Sequence, residues 1–227
     1  MAKHGRNYRE AFEKVDREKK YTPLEAVTLA KEIAYAKFDE TVELHVRLGV
    51  DPRHADQIVR DLVNLPHGLG KTVKVLVFAQ GEDATLAREA GADYIADGDE
   101  LINKIEGGWF DFDIAIATPN MMGKVGKLGR VLGPQGKMPS PKNGSVTADV
   151  ATAVAEFAAG KVEFKNDAGG NVHVVVGKQS FEADKLVGNI EALLSHIRKI
   201  RPASVKGTYI KRMCISATMS PSVVVSI

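Results

Sequence analysis

The chain has 227 residues, 44% hydrophobic and 26% charged, with a net charge of +2 at pH 7. This length suits one large domain or two of ordinary size, with enough apolar residues for a real core. A single cysteine excludes an internal disulfide, and the sequence contains neither an apolar run of membrane-spanning length nor a signal-peptide core, so we expect a cytoplasmic protein without a membrane partner.

The first 50 residues predict two helices and a strand. The helices cover 7–19 and 24–36, and Thr22-Pro23 supplies a hydroxyl N-cap and a proline at the first helical position of the second. The stretch FDETVELHVRLGV then alternates strictly, with apolar residues at every second position from Val42 to Leu48. This pattern is typical of a half-buried strand, and it places His45 on the solvated, polar face.

Residues 71–117 predict a parallel sheet. The runs TVKVLVFA, YIAD and FDIAIAT are strand-like, and ATLAREAGA and GDELINKIEG between them are helical. The nearly continuous apolar strands indicate a sheet that is covered on both faces. VTADVATAVAEFAAG follows later as a helix that ends at Gly160, a natural position for left-handed backbone.

The last third predicts an antiparallel meander with one long helix. KVEFKN and NVHVVVGKQS form strands joined by a hairpin turn at 167–170, and KLVGNIEALLSHIRKI forms a helix stopped by Pro202. In the final strand Met213, Ile215 and Ala217 face inward, and the same parity puts Met219 on the inward face.

Together these elements predict an α/β protein of two domains. Residues 1–68 plus 161–227 would form a two-layer α+β domain built from both termini, and residues 69–160 an inserted Rossmann-like three-layer α/β domain. The chain would cross between them near Gly68, Gly70 and Gly160. Glycines there suit a hinge, although they serve equally well to turn the chain.

The charges are distributed unevenly. Residues 76–115 carry ten acidic and two basic side chains, whereas residues 195–227 carry six basic and no acidic ones. The stretch 117–146 has six glycines, four prolines and five charged residues, all basic: Lys124, Lys127, Arg130, Lys137 and Lys142. Cations beside glycines favour contact with a nucleic-acid backbone, and the alternative is a solvated, flexible loop.

Catalytic and metal-binding patterns are absent. GLGKT at 68–72 lacks the first glycine of a phosphate-binding loop and leads into a strand instead of a helix. The turn after the first central strand contains one glycine and two acids, Glu82 and Asp83, which would repel a pyrophosphate. The scattered histidines suggest no metal site. We therefore expect no enzyme and no cofactor; the alternative is a nucleotide- or dinucleotide-dependent enzyme that uses the middle domain.

Long motifs resemble a known family. KFDETVELHVRLG, DPRHADQIVRDLVNLPHGLGK, IATPNMMGKVGKLGRVLGPQGKMPSPKNGSVT and SATMSPSV are similar to the L-one family of bacterial large-subunit ribosomal proteins, over nearly the whole chain. The resemblance implies a protein that is monomeric when free and binds large-subunit rRNA at the mobile stalk. It also implies assistance in exit-site tRNA release and repression of translation by binding the protein's own operon mRNA.

The resemblance also implies which residues contact RNA, chiefly in the terminal domain. Matching positions are Lys37, Phe38, Thr41, Thr218, Met219, Ser220, Pro221 and Ser222, with Asn166 and Asp167 as further members. Hydroxyls, a flat ring and a lysine suit backbone and 2′-hydroxyl contacts. The alternatives are that Phe38 covers the core, that Thr218 only continues a strand, and that Met219 points inward.

Two points qualify this comparison. The five cations of 117–146 would then be an auxiliary RNA contact, secondary to the terminal domain. Ser220 stands where the family usually has glycine, and a positive φ there would cost a serine roughly 1 kcal/mol. Asp61 also replaces a common glycine.

Overall fold

A computed structural model describes residues 4–226, except for the side chain of Lys142. The chain is a mixed α/β protein, as predicted, and it divides into two compact units. We call Met1–Gly70 with Val162–Ile227 the terminal unit, and Lys71–Lys161 the inserted unit. The boundaries predicted from the sequence lie at 68/69 and 160/161.

The regular elements are numbered along the chain. The helices are α1 (Arg6–Glu13), α2 (Pro23–Glu32), α3 (Glu82–Glu89), α4 (Asp99–Glu106), α5 (Met122–Val125), α6 (Gly129–Leu132), α7 (Val150–Ala158) and α8 (Ala183–Lys199). The strands are β1 (Thr41–Leu48), β2 (Arg60–Asn64), β3 (Val75–Phe78), β4 (Tyr94–Ile95), β5 (Ile114–Ala117), β6 (Lys161–Lys165), β7 (Asn171–Lys178), β8 (Ile210–Ala217) and β9 (Val223–Val225).

The terminal unit is a sheet covered by helices on one face. Its strands lie in the order β7-β1-β8-β9, all antiparallel, and β2 and β6 form a separate two-stranded sheet. Helices α2 and α8 pack against these strands. The predicted alternation of β1 is confirmed: Val42, Leu44, Val46 and Leu48 are buried in the core. The other face of β1, which begins at Thr41, remains open.

Both predicted N-terminal helices are shorter than expected. The first ends at Glu13, because the Asp16 carboxylate accepts the N–H groups of Glu18 and Lys19 and folds the chain into a turn. The second begins as predicted, with a capping box between Thr22 and Glu25, but ends at Glu32.

The predicted hairpin at 167–170 is wrong as a strand pairing. The turn exists, with the Gly170 N–H donating to the Asp167 carbonyl. However, β6 pairs with β2 and β7 pairs with β1, so only an isolated bridge, Asn166 to Val172, links the two strands. Asp61 of β2, the departure from the family glycine, has its Oδ2 2.9 Å from His196 Nε2 of α8.

The inserted unit contains the predicted parallel sheet, in the order β4-β3-β5. Helices α3 and α7 pack against the sheet, while Leu76 and Phe78 of β3 join a core with Ile102 and Ile105 of α4. All four residues of β3 are buried, which confirms the prediction of a sheet covered on both faces.

The first half of the glycine-rich segment after β5 is helical, not a flexible loop. Residues 119–132 form successive short helical turns, and Met121, Val125, Leu128 and Leu132 are buried in the core of the inserted unit. This spacing of 4, 3 and 4 residues is the apolar stripe of a helix. The glycines that recur at every third position, Gly123, Gly126 and Gly129, made this apolar stripe hard to recognise in the sequence.

None of the described helices has the length and apolar character needed to cross a membrane.

Candidate RNA-binding surface

The predicted residues Thr41 and Thr218 meet where β1 and β8 end. The Thr41 N–H donates to Thr218 Oγ1 at 2.9 Å, and the Thr218 hydroxyl lies 3.4 Å from the Thr41 carbonyl. Thr218 therefore continues the strand pairing through its side chain, one residue beyond the last ladder pair, Val42 with Ala217. We call the residues around this junction, including 35–41 and 217–222, the Thr41 end of the sheet.

Sequence reasoning missed a cation at this place. Lys178 lies opposite Thr41 in the strand register, and its Nζ donates to Thr41 Oγ1 at 2.8 Å. Asp39 accepts bonds from both the N–H and the hydroxyl of Ser180, which fastens the same corner. The alternation of β7 could have pointed to Lys178, but a register shift between Val42 and Glu43 breaks that alternation.

Two large apolar side chains stand exposed at the Thr41 end. Phe38 is 55% exposed and Met219 is 49% exposed. Phe38 therefore does not cover the core. The parity argument for Met219 is wrong, because β8 ends at Ala217 and the chain turns immediately afterwards. Lys37 is exposed beside Phe38.

The turn after β8 accommodates the serine without strain. The Ser220 N–H donates to the Ala217 carbonyl at 3.2 Å, and Ser220 Oγ accepts the Ala217 N–H at 3.1 Å. No described residue other than glycine has a positive φ, so Ser220 carries no left-handed strain. Its hydroxyl closes the turn, and Ser222 beyond it is exposed.

Asn166 and Asp167 lie at the opposite end of β1. There Asn171 pairs with Arg47, six residues from Thr41, which corresponds to about 20 Å along a strand. Asn166 is buried, and its Oδ1 accepts the Val59 N–H at 2.8 Å. The structure therefore divides the predicted RNA contacts into two groups, and the Asn166 side chain is occupied within the fold.

Asp167 organises the turn at this second end. Its Oδ1 accepts the N–H groups of Gly169 and Asn171, and its Oδ2 accepts the Asn171 side-chain amide. Hydrogen bonds from the side chain and then the backbone of Asn171 are the main causes that lower the pKa of Asp167 to about 2.

A polar chain of side chains spans the open face between the two ends. His45 Nε2 lies 2.8 Å from Ser216 Oγ, its Nδ1 lies 2.7 Å from His173 Nδ1, and His173 Nε2 lies 3.5 Å from Asp167. Burial, followed by the charge of His173, lowers the pKa of His45 below its ordinary 6.5. His45 lies on the polar face as predicted, but it is half-buried and hydrogen-bonded instead of solvated.

Some of the five cations predicted to contact RNA in the inserted unit are bound to partners within that unit, and others are exposed. Lys124 forms an ion pair with Asp99 at 2.9 Å. Lys137 donates to the backbone carbonyls of Phe110 and Phe112 and lies over the Phe112 ring. Lys127 and Arg130 are exposed on the helical segment. The side chain of Lys142 lies outside the described part of the chain.

Three glycines near the two exposed cations have empty space beside their Cα atoms. A Cβ added to Gly123, Gly126 or Gly129 would meet no atom within 4 Å. Glycine in a helix costs about 1 kcal/mol relative to alanine, and packing within this unit does not require it at these positions. The backbone there is bare beside Lys127 and Arg130, which permits the close approach of another molecule.

The described loops of the inserted unit do not have the charges that a nucleotide-binding site needs. Helix α3, which follows β3, has Glu82 and Asp83 in its first turn, where a dinucleotide fold needs room for a pyrophosphate. Lys71 of the GLGKT stretch pairs with Asp113 at 2.7 Å, ahead of strand β3. Among the described residues, no cluster of three or more potential ligands could hold a metal ion.

Comparison with known proteins identifies close relatives. The model of the Ribosomal protein L1p/L10e family matches residues 30–221. The large ribosomal subunit protein uL1 of Mycobacteroides abscessus is 55% identical over 223 residues, covering 98% of this chain and 94% of the relative. That of Thermobifida fusca is 54% identical over 221 residues, covering 97% and 94%.

Proposed function

The chain belongs to the Ribosomal protein L1p/L10e family, and we propose that it binds rRNA chiefly through the Thr41 end of its terminal unit. As a member of this family it is a structural component of the large ribosomal subunit in the cytoplasm, it binds rRNA, and it is not an enzyme. The alternative of a nucleotide-dependent enzyme is thereby wrong.

The observation that carries the proposal is the pair of exposed apolar side chains on a fixed corner. Phe38 and Met219 are both exposed, Lys37 is exposed beside Phe38, and Lys178 donates to the Thr41 hydroxyl at the same end of the sheet. An exposed ring stacks on bases or sugars, and hydroxyls and lysines contact 2′-hydroxyls and phosphates. Asn166 and Asp167 lie at the far end of β1, where they hold their own turn in place, and they are not part of this surface.

Binding to a stalk-derived rRNA fragment tests this placement. In Phe38→Ala combined with Thr218→Ala, we expect the affinity to fall at least about fivefold, because base–aromatic stacking alone contributes about 1–3 kcal/mol. Leu24→Ala is the matched control, since Leu24 is also 49% exposed in the terminal unit but lies at the start of α2. A double variant that binds within twofold of the wild type would refute the site.

We further propose that the inserted unit makes an auxiliary contact, with exit-site tRNA or with rRNA. Lys127 and Arg130 support it, together with the bare backbone at Gly123, Gly126 and Gly129. Lys124 could join them only by leaving Asp99. Tests with ribosomes that carry Lys127→Ala and Arg130→Ala should show slower release of deacylated tRNA, with rRNA binding by the terminal unit preserved. Unchanged release would refute this role.

Repression of its own operon is the third part of the proposal. An mRNA structure that resembles the rRNA site would occupy the same Thr41 end, so one surface would serve both RNAs. In a cell-free translation reaction, added protein should reduce synthesis from its operon mRNA, and excess stalk rRNA fragment should relieve the effect. Repression by the Phe38→Ala/Thr218→Ala variant at the wild-type concentration would separate the two sites.

Movement of one unit relative to the other about Gly68, Gly70 and Gly160 remains a proposal. All three glycines have positive φ, at 66°, 71° and 108°, and a Cβ at Gly70 would lie 2.6 Å from the Phe181 ring. Solution scattering of free and RNA-bound protein tests it; two curves that fit one rigid arrangement would count against a hinge.

A further inference from the structure

We propose that Glu40 is the positioning residue of the RNA-binding surface: its buried carboxylate fastens the segment that carries Lys37 and Phe38 to the turn that carries Met219. This inference rests on the proposed function, because it presumes that the Thr41 end contacts RNA. Glu40 itself does not touch the RNA, since its side chain is fully buried.

Three stretches of chain converge on Glu40. Its Oε1 accepts the Ala36 N–H at 2.8 Å, and its Oε2 accepts the Met219 N–H at 3.0 Å. Its backbone carbonyl accepts the Gln179 N–H at 2.8 Å. One residue therefore joins the end of α2, the turn after β8 and the end of β7, which are far apart in sequence.

The chemistry of the two bonds requires a carboxylate. Each oxygen serves a different backbone N–H, and an ionised carboxyl group is the side chain that offers two acceptor atoms and no donor. A glutamine would turn an amide N–H₂ toward one of the two N–H groups and leave it unpaired. Burying a carboxylate costs free energy that an apolar side chain would avoid, so stability alone is a poor reason for it.

The two bonds hold the backbone beneath the exposed side chains. Ala36 and Glu40 bracket the exposed residues 37–39, so the loop with Phe38 is fixed at both ends. The Met219 peptide is also fixed on both sides, because the Tyr35 hydroxyl donates to the Met219 carbonyl at 2.9 Å. A surface ordered before binding avoids the entropy cost of ordering it on the RNA.

The negative charge of Glu40 makes it possible to distinguish a positioning role from a direct electrostatic effect on RNA binding. Glu40 is negative and lies close under a surface that faces phosphates, so removal of its charge alone would strengthen RNA binding. If Glu40 acts by positioning, removal weakens RNA binding in spite of this. The two mechanisms therefore predict opposite changes from the same substitution.

The test measures binding of the full-length protein to a labelled stalk rRNA fragment across a salt series. Glu40→Gln should weaken binding about tenfold, with an unchanged salt dependence, because no phosphate contact is removed. Glu43→Gln is the matched control: it removes the same charge from the open face of β1, and its affinity should equal or exceed that of the wild type. Wild-type affinity in Glu40→Gln would overturn the inference.

Two further variants exclude an effect of lowered stability. Asn189→Ala removes a fully buried polar side chain of the same unit, which bonds His67, Gly68 and Val176. If it weakens RNA binding as much as Glu40→Gln at a matched loss of thermal stability, the inference is wrong. Glu40→Asp keeps the charge but is one methylene shorter, so it cannot span both N–H groups; tight binding by this variant would also overturn the inference.

These outcomes are distinct from failure of the proposed function. If Phe38→Ala with Thr218→Ala leaves affinity unchanged, the surface itself is misplaced. If that pair weakens binding and Glu40→Gln does not, the surface is right and only the positioning role falls.

Discussion

The glycine-rich segment of the inserted unit carries more cations than the Thr41 end of the terminal unit. Even so, the Thr41 end has the features that better suit the main RNA contact. The glycine-rich segment has five cations in 30 residues, yet Lys124 and Lys137 are bound to partners of their own unit. The Thr41 end has few charges but exposes Phe38 and Met219 on a backbone fastened by Glu40. A side chain can therefore contribute to a binding surface only if the fold does not already use it in a contact of its own.

Substitution of Phe38 should have the largest effect on RNA binding. Phe38→Glu should weaken binding to the stalk rRNA fragment by about 10- to 100-fold, because a stacking surface worth about 1–3 kcal/mol is replaced by a charge that repels phosphate. Arg130→Glu should cost less than tenfold. Fluorescence anisotropy at one fixed salt concentration compares them, and a larger loss for Arg130→Glu would make the inserted unit the main contact.

A second prediction distinguishes Lys137, which is bound within the inserted unit, from Lys127, which is exposed. Lys137→Met should lower the free energy of unfolding by about 1–3 kcal/mol, because the carbonyls of Phe110 and Phe112 lose a charged donor. Lys127→Met should leave stability unchanged and reduce the salt dependence of nucleic-acid binding by about one unit of slope. Denaturant titration and a salt series measure these; equal stabilities would contradict the structural role of Lys137.

A third prediction concerns the far end of β1. Asp167→Asn should lower stability at neutral pH, because the carboxylate that accepts the N–H groups of Gly169 and Asn171 is lost. Its pKa is depressed to about 2, so its stabilisation is complete above the ordinary value of 3.8 and disappears as the pH falls through about 2. Unfolding curves of both proteins should converge there. A difference that persists at pH 2 would assign the effect to another cause.

The smallest expected effect comes from His45, which lies between the two ends of β1. Because the pKa of His45 is lowered in the folded protein, the unfolded chain binds more protons below pH 6.5, and stability should decline as the pH falls through that value. His45→Gln should make this decline shallower. Thermal unfolding between pH 8 and pH 5 measures it, and identical slopes would show that His45 does not contribute.

The strands and the long helices could be read from the sequence, because their signals are local. Alternation gave β1 and β8, the continuous apolar runs gave β3 and β5, and Thr22 with Pro23 marked the start of α2. The ends of α1 and α2 could not be read, since the bonds of Asp16 and Glu40 replace helical ones there. The helical segment at 119–132 was missed because its glycines lower helix propensity while its buried stripe stabilises it.

The motifs and periodicities along the chain were enough to predict the family, the mixed α/β class and the candidate residues for RNA binding. The grouping of those residues, in contrast, depends on the tertiary structure. It brought Thr41 to Thr218 across 177 positions, sent Asn166 and Asp167 to the other end of the strand, and turned Met219 outward. The physical reason is that strand register and the pairing of buried polar groups, such as Glu40, depend on contacts between segments distant in sequence.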